Sequence, residues 1–482
     1  MRISRRRFLR NASLATAAAI APPILAQRPT RVLVVGAGAA GLTAAYELMQ
    51  SGFAVQLFEA SARAGGRMYT LRDPFSGSLY AEAGAGLLGG IGPGIEYARE
   101  FGLELLPLRY NPRLGFLSYF QGRRIEHRQD APGNLPFQLR QDERNMSVEA
   151  LHFRYRRRPM GQIENLAELA PPGLQADALD RLDNITMRDF LKEQGASNAA
   201  LEAMMYYYLP AYGDSLDEIN LLQVVREAVS FTGATGAFTV AGGNDRICGE
   251  LARRLGDRVH YQSPVRSVRQ DEAGITLTLE TRDGMESVTA DVAILTPPPP
   301  VLRTIEFDSP LPEATVNALR AAVPVPVTRT YVQTRSRFWL AEGLNGNALT
   351  DLPVAQILHS TAMQQGERGI LESMTYGNQA KTMAEMSPAQ QQAQLREALS
   401  QLYPESLDLD RVGTSYAWGN DPWHRCGHVA FRPGAYVAAT SALRQPHGRL
   451  FFAGDTIWGV SGYSHAAFES GKEVAAAIRT AA

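Results

Sequence analysis

Two cysteines in 482 residues, Cys248 and Cys426, leave no material for a disulfide framework. No run of about 18 uninterrupted apolar residues occurs, so no segment offers a stable membrane span. Neither sign of charge dominates: 48 Lys and Arg stand against 49 Asp and Glu, a net charge of −1. That balance removes the electrostatic footprint expected of a nucleic-acid-binding protein. There is no internal repeat, and the only biased tract is the short stretch Gln390 to Gln394. What remains is a soluble globular composition, 45% hydrophobic and 20% charged, in a chain too long for one core.

The informative stretch runs from Arg31 to Thr70. Val32 to Val35 is an apolar, β-branched run that predicts a buried parallel strand. Gly36, Gly38 and Gly41 follow in GxGxxG spacing and lead, past Ala40, into a helical pattern ending near Met49. A second strand, Ala54 to Phe58, ends on Glu59, 23 residues after Gly36. Each part has a physical task at a dinucleotide. Gly36 permits the tight turn, Gly38 lets backbone approach a pyrophosphate, and Gly41 lets helix and strand pack closely. Glu59 is placed to accept from ribose hydroxyls, with Ala60 beside it. Beyond it, Arg63, Gly65, Gly66 and Arg67 set two guanidiniums by a glycine pair, which suits the extended pyrophosphate of FAD.

With its E-x-x-x-R-x-G-G-R block, the chain resembles the flavin-containing amine oxidase family: monoamine oxidases, L-amino-acid oxidases and polyamine oxidases. Further motifs carry the resemblance along the chain. Ala81 to Gly86 is a second glycine-rich turn, and in the family Gly84, Ala85 and Leu87 would lie against the flavin. Ala241 to Asp245 resembles the family's glycine pair before a helix, and Val265 matches the position whose backbone meets adenine. Near the C-terminus stand Phe451-Phe452-Ala453-Gly454-Asp455, then Ser461-Gly462-Tyr463, then Ala466 through Gly471. The resemblance implies that Asp455, after Gly454, accepts from the ribityl chain. It also implies that Gly462 opens a helix whose amides face the flavin's pyrimidine end.

The fold expected is α/β: a Rossmann-type FAD-binding domain with an interleaved α+β substrate domain and a helical subdomain. The flavin domain is assigned to residues 30–90, 235–320 and 421–482. Residues 91–234 read as the helical part, with Leu216 to Val229 as its amphipathic helix, and 321–420 as the sheet-containing part. Val259 to Val268 and Ile275 to Glu280 alternate as strands, with turns at Asp271–Gly274 and Asp283–Gly284. Pro297 to Pro300 reads as a linker from composition, or, by resemblance, as the point where the chain leaves the flavin domain. Arg154, Arg156, Arg157 and Arg158 read as a solvated loop closed by Pro159, with an anionic funnel as the alternative.

The resemblance implies hydride transfer from a neutral amine to the flavin, giving an imine, then a carbonyl compound, ammonia and, with oxygen, hydrogen peroxide. Tyr463 matches an aromatic wall of the amine site. Tyr376 matches a substrate-contacting tyrosine of the amino-acid oxidases, or is an ordinary core tyrosine. The second wall of the monoamine oxidases is missing, because Gly427 stands in its place. Arg329 occupies the position where many members carry a lysine that assists reoxidation by oxygen. Leu87 stands where amino-acid oxidases carry a carboxylate-binding arginine. Cys426 has the spacing of the monoamine oxidase cysteine that bonds the flavin, although His-Arg-Cys-Gly does not match; a buried packing cysteine is the alternative. His424, Cys426 and His428 alternate as metal ligands on a strand would, but no other ligand cluster supports them and no metal is assigned.

The N-terminus carries Ser4-Arg5-Arg6-Arg7-Phe8-Leu9-Arg10 and an alanine-rich stretch to Ala26, the form of a twin-arginine signal. Its removal would take the net charge from −1 to −6 by deleting five arginines. The expected location is therefore periplasmic or secreted. The expected partners are the twin-arginine export machinery, an amine or amino acid, and oxygen or a periplasmic electron acceptor. A homodimer stays open.

Overall fold

The structure, a computed structural model, describes residues 29–481 apart from 91, 110, 130–133, 159–175, 208 and 233–235. The twin-arginine stretch lies outside the described residues, as does Pro159. Arg31–Val35 forms the centre of a five-stranded parallel sheet in the order Val259–His260, Ala54–Phe58, Arg31–Val35, Val292–Leu295, Leu450–Phe452. Val35 stands in register with both Phe58 and Leu295, which places the strand's C-terminal end, and the glycine turn after it, in mid-sheet. Strands paired on both edges and covered on both faces must be apolar throughout, which is why this one reads VLVV.

Helix Ala39–Gln50 follows the turn and packs along helix Ser464–Ala481. Gly471 allows this approach: a Cβ there would lie 2.4 Å from the Ala40 carbonyl oxygen. Two hairpins in the strands Val265–Asp271, Gly274–Thr281 and Gly284–Ala290 form a meander with turns at the expected positions, and Glu306–Phe307 adds a fourth, parallel strand. The proline run does not behave as a free linker. Pro298 caps a short helix, Pro299–Leu302, whose residues are all buried.

The second large sheet, in the part expected to form the substrate domain, has seven strands ordered Leu409–Ala417, Val327–Thr334, Gly369–Tyr376, Gln356–His359, Leu344–Thr350, Gly115–Phe120, Arg123–His127. Its last two strands correct the expectation that residues 91–234 are helical. The hairpin 115–127 joins the substrate sheet, and Leu105–Pro107 pairs with Ala237–Val240. Gly115–Phe120 alternates only loosely, because it pairs with strands far along the chain and is judged by their faces, not by its own periodicity. Helices do dominate from Val148 to Thr232 among the described residues, and the expected amphipathic helix occupies Leu221–Thr232. No helix among the described residues is long and apolar enough to cross a membrane.

The helix pair at Gly471 gives a direct check. Gly471→Val would overpack against Ala40 and Thr43, and overpacking costs about 1–3 kcal/mol. We expect a thermal midpoint lowered by at least about 2 °C, read by differential scanning calorimetry. An unchanged midpoint would mean the two helices separate freely.

Candidate active site

The glycine turn is built as a cradle. Gly36 has φ +101° and a Cβ there would meet Thr296 Oγ1 at 2.5 Å, while a Cβ on Gly41 would sit 2.0 Å from the Gly36 carbonyl oxygen. Both must be glycine. Around Gly38, by contrast, a Cβ would meet nothing within 4 Å, so open space lies over this backbone. The second glycine pair closes beside it: Gly65 N–H donates to the Ala37 carbonyl (2.8 Å), and Gly66 lies against Gly38. Glu59 is buried and accepts from the amides of Ala37 (2.7 Å) and Ser61 (2.8 Å). A carboxylate has about four lone-pair sites, so capacity remains for ribose hydroxyls. Next to Glu59, a groove of about 460 Å³ runs past Ala60 and Ser61 to Gln262, Pro264, Arg266 and Trp423. Val265 lies between its last wall residues but is itself buried.

The two expected arginines part company. Arg63 donates to the Gly66 carbonyl (2.9 Å) and lies over the Tyr69 ring at 3.9 Å, so it staples the loop. Arg67 donates to Asp455 Oδ1 (2.6 Å) and to the Gly427 carbonyl (3.0 Å). Asp455 Oδ2 in turn accepts from Gly462 N–H (2.6 Å). Thus Gly66, Arg67, Gly454, Asp455 and Gly462 meet although the chain separates them widely. Gly84 packs on the Arg67 backbone so closely that a Cβ would overlap its carbonyl oxygen, and Ala85 N–H donates to that oxygen (3.1 Å). Ala40 and Ala466 are buried where helices 39–50 and 464–481 pack. That last helix begins at Ser464, two residues after Gly462, so the Gly462 amide serves Asp455 and is not part of it. The open backbone at Gly38, flanked by Glu59 and the Gly65–Gly66 turn, fits an extended dinucleotide.

The family model described as flavin containing amine oxidoreductase matches residues 39–479. The chain belongs to the flavin-containing amine oxidoreductase family. It is a flavoenzyme acting on CH–NH₂ groups, and its cofactor is FAD. Among curated relatives it is 27% identical to a putative L-amino-acid oxidase, YobN, of Bacillus subtilis (strain 168), over 93% of this chain and 94% of the relative. It is 26% identical to an L-amino acid oxidase of Cerastes cerastes, over 94% and 87%. Among solved structures, a putrescine oxidase bound to putrescine aligns with TM-score 0.76 at 23% identity, covering 94% of this chain and 99% of that one. The cyclohexylamine oxidase of Brevibacterium oxydans IH-35A aligns with TM-score 0.75 at 23% identity, with the same coverage.

In the seven-stranded sheet, cross-strand register gathers the residues expected at the substrate site. Arg329 stands opposite Met374 and Tyr331 opposite Glu372, so both share a sheet face with Tyr376. Arg329 donates to the Glu82 carbonyl (2.7 Å) and lies 3.7 Å from Glu372. Burial works against its charge, but Glu372, Tyr331 and Tyr376 together outweigh that and hold its pKa above the ordinary value. The same burial raises the carboxyl of Glu372, while that of Glu82 is pushed up to about 8. Tyr376 faces the His428 ring edge to face at 6.2 Å, and burial lifts its hydroxyl to about 12. His428 bonds the Ala211 carbonyl and lies directly against Gly462, the residue before Tyr463. Leu87 is 41% exposed.

Three placements sharpen or correct the sequence reading. The position of the absent second wall is closed as well as bare: a Cβ on Gly427 would lie 2.4 Å from Val327 Cγ2. The His424, Cys426 and His428 side chains do not converge, since His424 Nδ1 lies 2.8 Å from Asp421 Oδ1 and Cys426 Sγ is 3.4 Å from the His424 carbonyl. Among the described residues no three such side chains gather. The arginine run is not a solvated loop: a π-helical turn, Phe153–Arg157, continues helix Val148–His152 and carries Arg156 inward, beside His152 Nε2 at 3.1 Å. Sequence reasoning passed over Tyr212 and Glu227, the buried neighbours of Arg156. Glu227 accepts from Tyr212 and from Gln223 (3.3 Å), and Tyr212 interacts electrostatically with Tyr463. The only available signal was the polar stripe Gln223–Glu227, at helical spacing in an otherwise apolar helix.

Cys426 is fully buried, and burial pushes its thiol up to about 12. Arg67 and Arg303 pull toward the thiolate that a thioether linkage requires, but burial outweighs them. We expect acid precipitation of the holoenzyme to release all yellow colour into the supernatant; colour retained with the pellet would assign Cys426 to the flavin.

Proposed function

We propose that this chain is an exported FAD-dependent amine oxidase that takes primary amines in preference to amino acids. When bound, FAD supplies the acceptor for the hydride on the amine's α-carbon, and the imine left behind hydrolyses to a carbonyl compound and ammonia. The observation that carries the reading is the fate of the cations facing the substrate. An amino acid brings a carboxylate, which in a dry site needs a paired cation to avoid a cost of several kcal/mol. Leu87 offers neither charge nor donor. Arg329 is already committed to Glu372 and to the Glu82 carbonyl. Tyr376 can give one neutral hydrogen bond, about 1 kcal/mol net, too little to select a carboxylate over an apolar substituent.

The protein's part is binding and shaping. Tyr463, Tyr376 and His428 would hold the amine between ring faces and edges, which favours a developing positive charge on nitrogen. Export rests on the Ser4 to Arg10 motif, and hydrogen peroxide as co-product on the oxidase reading. The second reading is an L-amino-acid oxidase, favoured by the curated relatives' names.

Paired substrates separate the two. We expect kcat/KM for tyramine to exceed that for tyrosine, and that for phenethylamine to exceed that for phenylalanine, each by about tenfold or more. A preference for the amino acid in both pairs would establish the second reading. Reoxidation tests Arg329. A guanidinium stays protonated and is bulkier than an ammonium, so Arg329→Lys should raise the rate of reduced-enzyme oxidation by oxygen in stopped flow. An unchanged rate would place Arg329 away from the oxygen reaction.

A further inference from the structure

A primary amine reaches the site mostly as its ammonium. With a pKa near that of lysine, about 10.4, roughly one molecule in a thousand is neutral at pH 7. Only the neutral form has the lone pair that drives a hydride from the α-carbon. A proton must therefore leave before the redox step, and the structure offers a place for it.

Behind Tyr463 lies a short chain of hydroxyls ending in a carboxyl. Tyr212 interacts electrostatically with Tyr463, and Tyr212 O–H donates to Glu227. Glu227 is buried, and its other oxygen is held by Gln223 Nε2 at 3.3 Å. Gln223 is itself fixed from both ends: its Nε2 donates to the Val429 carbonyl (3.1 Å) and its Oε1 accepts from Phe431 N–H (2.9 Å). The carboxyl is thus anchored to the segment after His428. The charged and titratable groups around it are Arg156 from the π-helical turn, Tyr212 from the turn after Leu209–Ala211, Tyr436, and Asp455 and Tyr463 from the C-terminal segment. None of the other groups suits the task. Arg329 keeps its charge, and His428 is tied to the Ala211 carbonyl, with burial lowering its proton affinity.

We propose that Glu227 is the acceptor of the substrate's ammonium proton, which travels through the hydroxyls of Tyr463 and Tyr212. One N–H bond of the ammonium breaks and one O–H bond forms on Glu227, while each tyrosine gives up one proton and takes one. The neutral amine keeps its lone pair for the following oxidation. Removal of a hydride from the neutral amine leaves a protonated imine, whose hydrolysis gives the carbonyl compound and ammonium directly; the proton stored on Glu227 would be given up in the oxidative half-reaction, where reduction of oxygen to hydrogen peroxide takes one. Burial holds the Glu227 carboxyl at about 8, so it is neutral well below that pH and an acceptor above it. Acting through two tyrosines, Glu227 is a positioning residue for proton transfer and not a group that touches substrate. The inference rests on the amine oxidase reading and on Tyr463 as a wall of its site.

The test uses the holoenzyme and three proteins: wild type, Glu227→Gln and Tyr212→Phe. Anaerobic flavin reduction by phenethylamine is followed across pH, alongside β,β-difluorophenethylamine, whose ammonium is far more acidic. In the wild type the rate should rise with pH through a limb near 8. Both variants should lose that limb and reduce about 100-fold more slowly with phenethylamine, yet keep close to the wild-type rate with the fluorinated amine, which arrives neutral. A second readout needs no turnover: binding of α,α-dimethylphenethylamine, which has no α-hydrogen, watched with an indicator dye. At pH values above the limb, wild type should bind it without releasing a proton, and Glu227→Gln should release one per site. Equal losses for both amines with the limb intact would mean Glu227 is structural and overturn the proposal, as would equal proton release by wild type and variant. A wild-type flavin that no amine bleaches would overturn the amine reading itself.

Discussion

The Arg67–Asp455 ion pair holds the site together. It joins residues 388 apart, and both partners are mostly shielded from solvent. Each makes a further bond that recruits another segment: Arg67 reaches the Gly427 carbonyl, and Asp455 reaches the Gly462 amide. A shielded pair of this kind gains little net stability over apolar packing, but losing one partner strands a charge. Its value here is positional. The loop after the second strand, the segment carrying Cys426 to His428, and the turn before the last helix are all brought to the same two side chains.

Much of the cofactor cradle was legible because its logic is local. Gly36, Gly38, Gly41 and Glu59 sit within one strand–turn–helix–strand unit, where spacing alone dictates geometry. The same holds for the turns Asp271–Gly274 and Asp283–Gly284. Arg63 shows the limit even there: a guanidinium beside a glycine pair suits a phosphate, but Tyr69 offered a ring face and took it. The seven-stranded sheet was partly invisible, since Gly115–Phe120 finds its partner at Leu344–Thr350 and its pattern makes sense only in that company.

The residues assigned to the substrate site were the least legible part. Arg329 and Tyr376 were assigned through resemblance, but the commitment of Arg329 to Glu372 depends on register between two strands. Arg156 read as part of a basic surface run because four arginines in five residues suggest solvent. A π-helical turn shifts the phase of the helix and sends this one inward, and such turns gather at functional sites. Tyr212 and Glu227 lie 15 residues apart with nothing in the intervening sequence to pair them.

The contact between Gly427 and Val327 bears on how enzymes of this family can diverge. An aromatic side chain introduced at 427 alone would drive into Val327. Shrinking Val327 alone would leave an unfilled void in the sheet, which is destabilising in its own right. Either step by itself costs stability, so only the two together would exchange one arrangement for the other. The contact makes the two positions epistatic: what one can carry depends on the size of the other.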